Sequence, residues 1–288
     1  MSTTNDKILT CIDSSIYMDS VVAHAAWVST RLSAPVQLLH IQTPIADGDP
    51  SSNLSGAIGL GVKSSLLEKL TQLDEARGKL EQQKGKLIID HAKEMLAAEQ
   101  ITKAEALHRR GSLVESIAEL EHAAQMIVLG KRGEEADFAT LHLGSNLERV
   151  VRVAKKPVLV ASRTFKPISR FVIAYDGGPS TLKAIDYVIN NPLFQGLECH
   201  LLKVGTDNDA NQRDLQKATT KLQESGFSVN ALLRQGDADA VIANYVKTAE
   251  IDLLLMGAYG HSRIRTLIIG STTSSMLRSC LIPVLMFR

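Results

Sequence analysis

Short apolar runs and amphipathic stretches alternate along the chain. Residues 8–12 (ILTCI) are too short a run for a helix and read as a buried strand. Val21, Ala25, Val28 and Leu32 then recur at the spacing of one helical face. "PVQLLHI" at 35–41 reads as a second strand, and residues 63–98 as a long helix. Gly78 and Gly85 are weak points in that helix, since an interior glycine costs about 1 kcal/mol. A third strand is expected at 103–109, a helix at 112–123, and further strands at 125–130 and 157–162. The second half repeats this order with a shorter middle helix, near residues 211–225. Continuous apolar strands alternating with helices predict an α/β fold with parallel, doubly wound sheets buried on both faces. In such sheets ligands sit at the C-terminal strand ends, where the strand order reverses.

The repetition extends to sequence. "KILTCIDSS" resembles "RFVIAYDGG", "QMIVLGKRG" parallels "DLLLMGAYG", and "PVLVAS" parallels "PVLMFR". Gly130 and Gly257 are 127 residues apart and Gly144 and Gly270 are 126 apart, whereas Asp13 and Asp176 are 163 apart. The first half therefore carries about 36 extra residues in its middle. Two homologous tandem domains are expected, 1–165 and 166–288, divided near "TFKPIS".

Composition narrows the class. The 288 residues are 44% hydrophobic and 22% charged with a net charge of +1, which suits a soluble globular protein and not a nucleic-acid scaffold. Cys11, Cys199 and Cys280 are scattered among apolar residues and read as reduced core thiols, hence a cytoplasmic setting. The N-terminus lacks a signal-peptide layout, and no apolar run approaches the roughly 20 residues that span a bilayer.

The candidate chemistry lies in "GAYGHSRIRTLIIGST", residues 257–272. A glycine-rich turn between a buried strand and a helix can aim several N–H groups at one anion. Gly257 and Gly260 allow close approach, Gly270, Ser271 and Thr272 open the last helix, and Arg263 and Arg265 lie between them. Asp176 ends the strand where a base or ribose would sit. A nucleotide fits this set better than a bare sugar. The Gly-Lys-Ser/Thr ending of a P-loop is absent, and no dinucleotide fingerprint follows either first strand.

The G-x2-G-x9-G-[S/T] pattern, the aspartate after strand one and Gly236 in "RQGDADAVI" resemble the universal stress proteins, in two copies covering essentially the whole chain. That resemblance implies domains of the adenine nucleotide α-hydrolase-like type, each a five-stranded parallel sheet flanked by helices. It implies ATP or a related adenine nucleotide, AMP or ADP included, with Mg²⁺ as a companion of the phosphates. Carried over, Asp176, Val204 and Gly236 would line base and ribose. Gly257, Gly260, Arg263, Gly270, Ser271 and Thr272 would hold phosphates. The corresponding positions of the first half are Asp13, Ile41, Gly111, Gly130, Gly133, Gly144, Ser145 and Asn146. The family's terminal strands pair antiparallel across a dimer axis, so two copies in one chain imply an internal pseudo-dimer. The implied role is a cytoplasmic stress-response sensor or signalling module rather than an enzyme. A nucleotide-independent scaffold and a weak ATPase are the alternatives.

The first half departs from the pattern. Ten residues, not nine, separate Gly133 from Gly144, and Glu134, Glu135 and Asp137 would repel a triphosphate unless they point away or hold a metal ion. Lys131 and Arg132 are the cations that could offset them. Arg109 and Arg110 beside Gly111 are either phosphate contacts or an exposed basic pair. A Cys11–His40 pair would be the one candidate for nucleophilic chemistry, with a core thiol and a satisfied histidine as the plainer reading. No catalytic or metal-binding residues are assigned. The Gly- and Ser-rich insertion at 45–65 reads as a long loop, a lid or a docking surface. After it, Leu66, Leu70, Leu73, Leu80 and Leu87 could form a contact stripe, giving a homodimer through the insertion.

Overall fold

The computed structural model describes residues 7–42, 60–133, 145–258 and 271–288, with backbone only at 60–67, 145, 271, 272 and 274. The expected alternation is found twice. In the first half β1 (Lys7–Ile12), α1 (Met18–Leu32), β2 (Val36–Gln42), α2 (Leu60–Ala98), β3 (Ala104–Arg110), α3 (Leu113–Leu120), β4 (Ala124–Gly130), α4 (Ser145–Val153) and β5 (Val158–Ala161) follow one another. The second half runs β6 (Arg170–Ala174), α5 (Pro179–Asn190), β7 (Glu198–Val204), α6 (Asp209–Glu224), β8 (Val229–Arg234), α7 (Ala238–Thr248), β9 (Leu253–Gly257), α8 (Ser271–Ser279) and β10 (Val284–Phe287).

The ten strands form one sheet in the order β3-β2-β1-β4-β5-β10-β9-β6-β7-β8. Each half is parallel throughout, and the halves join by antiparallel pairing of β5 with β10, with Leu285 opposite Leu159. The last strand of each half is thereby paired and not left as an edge, and β3 and β8 are the edges of the sheet. The alternating faces of the strands feed two cores. Ile8, Val36, Leu38, Phe171 and Leu201 pack under α1, α2, α5 and α6. Leu9, Leu39, Val160, Leu254 and Val284 pack on the opposite side, under α3, α4, α7 and α8.

The capping residues follow their chemistry. Ser112 accepts a hydrogen bond from Glu115 N–H at the start of α3, Asn208 from Asn211 N–H at α6, and Asp237 from Ala240 N–H at α7. Gly85 has a packing reason: a Cβ there would lie 2.4 Å from His108 Cε1 and 2.9 Å from His40 Cδ2. Helix α2 approaches β2 and β3 that closely only without a side chain at this point. Gly78 faces open space. Leu73, Leu80 and Leu87 are exposed, between 62% and 70%, so this stripe faces solvent and not the core. Further contacts tie the halves together. Arg31 Nε donates to Leu193 O at 2.6 Å. Phe165 in the linker meets His24 of α1 edge-on, with ring centroids 4.9 Å apart. No helix among the described residues is long and apolar enough to cross a membrane.

Candidate functional site

The strand order places the candidate residues of the second half on one rim. β9, β6, β7 and β8 are neighbours and parallel. Their C-terminal ends carry Gly257, the turn 175–178, Val204 and the turn containing Gly236, in that spatial order. The order reverses between β6 and β9, which is where an open α/β sheet forms its ligand crevice.

Asp176 shapes this rim through its own turn. Its Oδ1 accepts from Gly178 N–H at 2.7 Å and from Thr181 Oγ1 at 2.6 Å. The carboxylate thereby anchors the start of α5, which Pro179 begins in the first turn. Gly257 abuts the same turn: a Cβ on it would lie 3.0 Å from Ser180 Cβ and 3.5 Å from Thr181 Cγ2. Thr273 Oγ1 in α8 donates to Gly257 O at 3.3 Å. Asp176, Gly257 and the start of α8 are therefore brought together. Gly236 adopts φ +135°, a conformation that favours glycine, with Val241 Cγ2 3.0 Å from where a Cβ would stand. Ser271 and Thr272 are the first residues of α8, where free N–H groups and the helix dipole favour an anion. Gly260, Arg263, Arg265 and Gly270 lie outside the described residues.

A cluster that the sequence analysis did not single out adjoins the rim, with Lys203 and Tyr175 buried and Asp214 half-exposed. Lys203, 6% exposed, places Nζ 2.5 Å from Asp214 Oδ2 and 5.0 Å from the Tyr175 ring centroid. Tyr175 Oη donates to Asp214 Oδ1 at 3.3 Å. Burial, and then the Asp214 charge, pushes the Tyr175 phenol up to about 12. Gly177, at φ +78°, would carry a Cβ only 2.7 Å from Asp214 Oδ2. The sequence signal for this cluster was slight: a lysine inside an apolar strand, one residue before Val204.

The first half arranges its counterparts similarly but commits them differently. Asp13 Oδ1 accepts from Ser15 N–H at 3.0 Å, and Gly133 lies against Asp13 Oδ2, 3.1 Å from where its Cβ would be. Gly130 abuts Tyr17 Cβ at 2.9 Å by the same measure. Ile41 is half-buried at the end of β2, Gly111 has φ +123° after β3, and Asn146 is exposed in α4, which Ser145 opens. Arg109 pairs with Glu119 at 2.6 Å. Lys131, expected to offset the acidic residues, is instead buried, with Nζ donating to the Cys280 carbonyl of the other half. Glu134, Glu135, Asp137 and Gly144 lie outside the described residues.

Both halves match one family, over residues 4–162 and 167–288, described as the universal stress protein family. The chain belongs to the universal stress protein family. A universal stress protein of Synechocystis sp. is 39% identical over 285 residues, covering 98% of this chain and 99% of the relative. One from Mycolicibacterium smegmatis is 23% identical over 308 residues, covering 100% of this chain and 98% of the relative. The crystal structure of a universal stress protein from Archaeoglobus fulgidus covers 100% of this chain and 99% of its own, with TM-score 0.72 and 20% identity. That likeness shows that the family's two-domain fold spans the whole chain.

His40 and the three cysteines are arranged as core. His40 directs Nδ1 to Ile12 O at 3.0 Å and lies beside the His108 ring, while Cys11 belongs to the opposite core. Burial, and then the Asp13 charge, pushes the Cys11 thiol up to about 12, far from a nucleophilic thiolate. The cysteines are free and buried, and burial likewise pushes Cys199 up to about 12 and raises Cys280. Among the described residues no group of three or more His, Cys, Asp or Glu could hold a metal ion. An open cavity of about 460 Å³ lies at the other end of the sheet, beside Arg170, Glu198, His200 and Tyr245. Its polar groups satisfy one another: His200 bridges Tyr245 Oη at 2.7 Å and Glu198 Oε1 at 2.9 Å, and Arg170 Nε meets Glu198 at 3.0 Å.

Proposed function

We propose that the second half binds an adenine nucleotide, with ATP preferred, at the rim formed by the β9, β6, β7 and β8 ends. The observation that carries this is the joining of the Asp176 turn, Gly257 and the start of α8 at the point where strand order reverses. In this arrangement base and ribose lie between Asp176, Val204 and Gly236. The phosphates lie over Gly257 and the first turn of α8, which Ser271 and Thr272 open, and Gly260, Arg263 and Gly270 are the further phosphate contacts expected from the sequence. An anion at one helix N-terminus gains about 0.3–2 kcal/mol from the dipole, so the glycine turn and arginines supply the rest of the phosphate binding. Mg²⁺ accompanies the phosphates as part of the ligand.

The first half is the weaker site in this account, because Lys131 serves a contact with the other half. We read the role as binding rather than turnover, with Asp176 Oδ1 serving the turn through its two hydrogen bonds. A ligand that binds only the folded state, at about 100 times its Kd, adds about 2.7 kcal/mol of stability. Nucleotide supply would thus set the rigidity of the rim and the surface it offers to partners, as befits a cytoplasmic stress-response sensor.

Calorimetric titration with ATP tests the proposal. Saturable binding that loses one site per chain in Gly270→Val supports it. Binding of undiminished stoichiometry and affinity in both Gly257→Val and Gly270→Val places the nucleotide elsewhere, and multiple-turnover phosphate release sensitive to those changes would make the protein an ATPase.

A further inference from the structure

The two halves brace each other's last helices. Lys131 immediately follows β4, and its Nζ donates to the carbonyl of Cys280, the residue that closes α8. In the other direction, the Arg288 guanidinium donates to the carbonyl of Arg152 in the last turn of α4. Cations at helix C-termini complement the dipole and satisfy carbonyls that lack partners within the helix. The two braces are not equivalent, however. Arg288 lies at the end of the last strand, whereas Lys131 sits in the first half's own glycine turn, two residues before Gly133 and its contact with Asp13. The second-half residue in register with Lys131 is Ala258, whose backbone N–H donates to Phe287 O at 2.7 Å.

Helix α8 has nine residues and is therefore about 13 Å long. Its two ends are therefore close enough for a contact at one to bear on the other. Lys131 holds its C-terminal end, while Thr273 in its first turn meets the second half's rim at Gly257 O. Lys131 is only 7% exposed, and burial lowers its pKa. Such desolvation is unfavourable, so the amine is held by a specific contact and not as a freely solvated charge.

We propose that Lys131 is a positioning residue for the second half's nucleotide site, acting from the first half through α8 and coupling the two sites. The coupling rests on the nucleotide reading above; the brace itself does not. Anything that shifts residues 131–133 of the first half, including a ligand against Asp13 and Gly133, shifts α8 and the rim it completes. By linkage the effect is reciprocal.

Two measurements on the full-length protein test this. Without ligand, hydrogen exchange of the α8 amides is expected to rise at least about fivefold in Lys131→Met, with β1 and β9 still protected, and to recover partly in Lys131→Arg. Unchanged exchange in α8 overturns the brace, whatever the protein binds. With ATP, Lys131→Met is expected to weaken the second-half site about fivefold or more, and Lys131→Arg to weaken it less. Weaker ATP binding in Lys131→Met with α8 exchange unchanged would make Lys131 a direct phosphate ligand of the first half and refute the positioning role. Failure of the wild-type protein to bind ATP would refute the nucleotide reading and the coupling together, with the exchange result still deciding the brace.

Discussion

Gly257 and Ser180 come so close that a single Cβ on Gly257 would stand 3.0 Å from Ser180 Cβ. The end of β9 and the start of α5 are therefore one packed unit, and the Asp176 turn lies within it. Gly257→Val is expected to destabilise the fold by about 1–3 kcal/mol through overpacking, with Gly257→Ala milder. Urea midpoints read the difference. Equal midpoints for Val and the wild type would show that the rim is loose.

Asp176 acts in the fold before it acts on any ligand. Asp176→Ala removes the acceptor for Gly178 N–H and Thr181 Oγ1, and should cost about 1–2 kcal/mol. Asp176→Asn keeps an acceptor oxygen in place and should stay close to wild-type stability. Thermal melts of the two variants distinguish the hydrogen bonds from the charge, and equal losses would assign the effect to charge.

Beside the rim, Asp214→Ala leaves Lys203 buried without its carboxylate. Because Asp214 is itself 42% exposed, the loss is discounted to about 1–2 kcal/mol from the value for a fully buried pair. Lys203→Met together with Asp214→Ala should recover part of it. A double-mutant cycle by chemical denaturation checks this, and additive losses would deny the coupling.

How much of this was legible beforehand varies with sequence separation. Ile8–Ile12 and Val21–Leu32 declared their elements locally, because burial on both faces and a helical stripe are each written within a few residues. The doubled "PVLVAS" and "PVLMFR" made the β5–β10 join an implication of the family resemblance. Gly85 misled, since propensity marks it as a weak point while its packing against His108 requires a glycine. Lys131 misled more: beside Glu134, Glu135 and Asp137 it reads as a cation that offsets them in part, yet its partner, Cys280, is 149 residues away. No local pattern encodes such a contact.

His24 sets an acid limit on stability. Its ring is fully buried, Nδ1 lies 2.7 Å from Ser20 O, and burial lowers its pKa from 6.5 to about 4. The unfolded chain therefore takes up a proton before the folded one does. The His24 contribution is fully present above about pH 6.5, declines as pH falls, and is lost by about pH 4, amounting to about 3 kcal/mol. His24→Leu should flatten the stability profile between those values. An unchanged slope would mean that other groups dominate the acid transition.

The most direct test of the central claim is to denature freshly purified protein and to identify and count the released nucleotide by chromatography and mass, with ATP calorimetry on any protein that emerges empty. At least one adenine nucleotide per chain, released or rebound, is expected, with a site lost in Gly270→Val. No released nucleotide together with no ATP binding would contradict that claim, leaving the paired glycine turns as architecture for a scaffold.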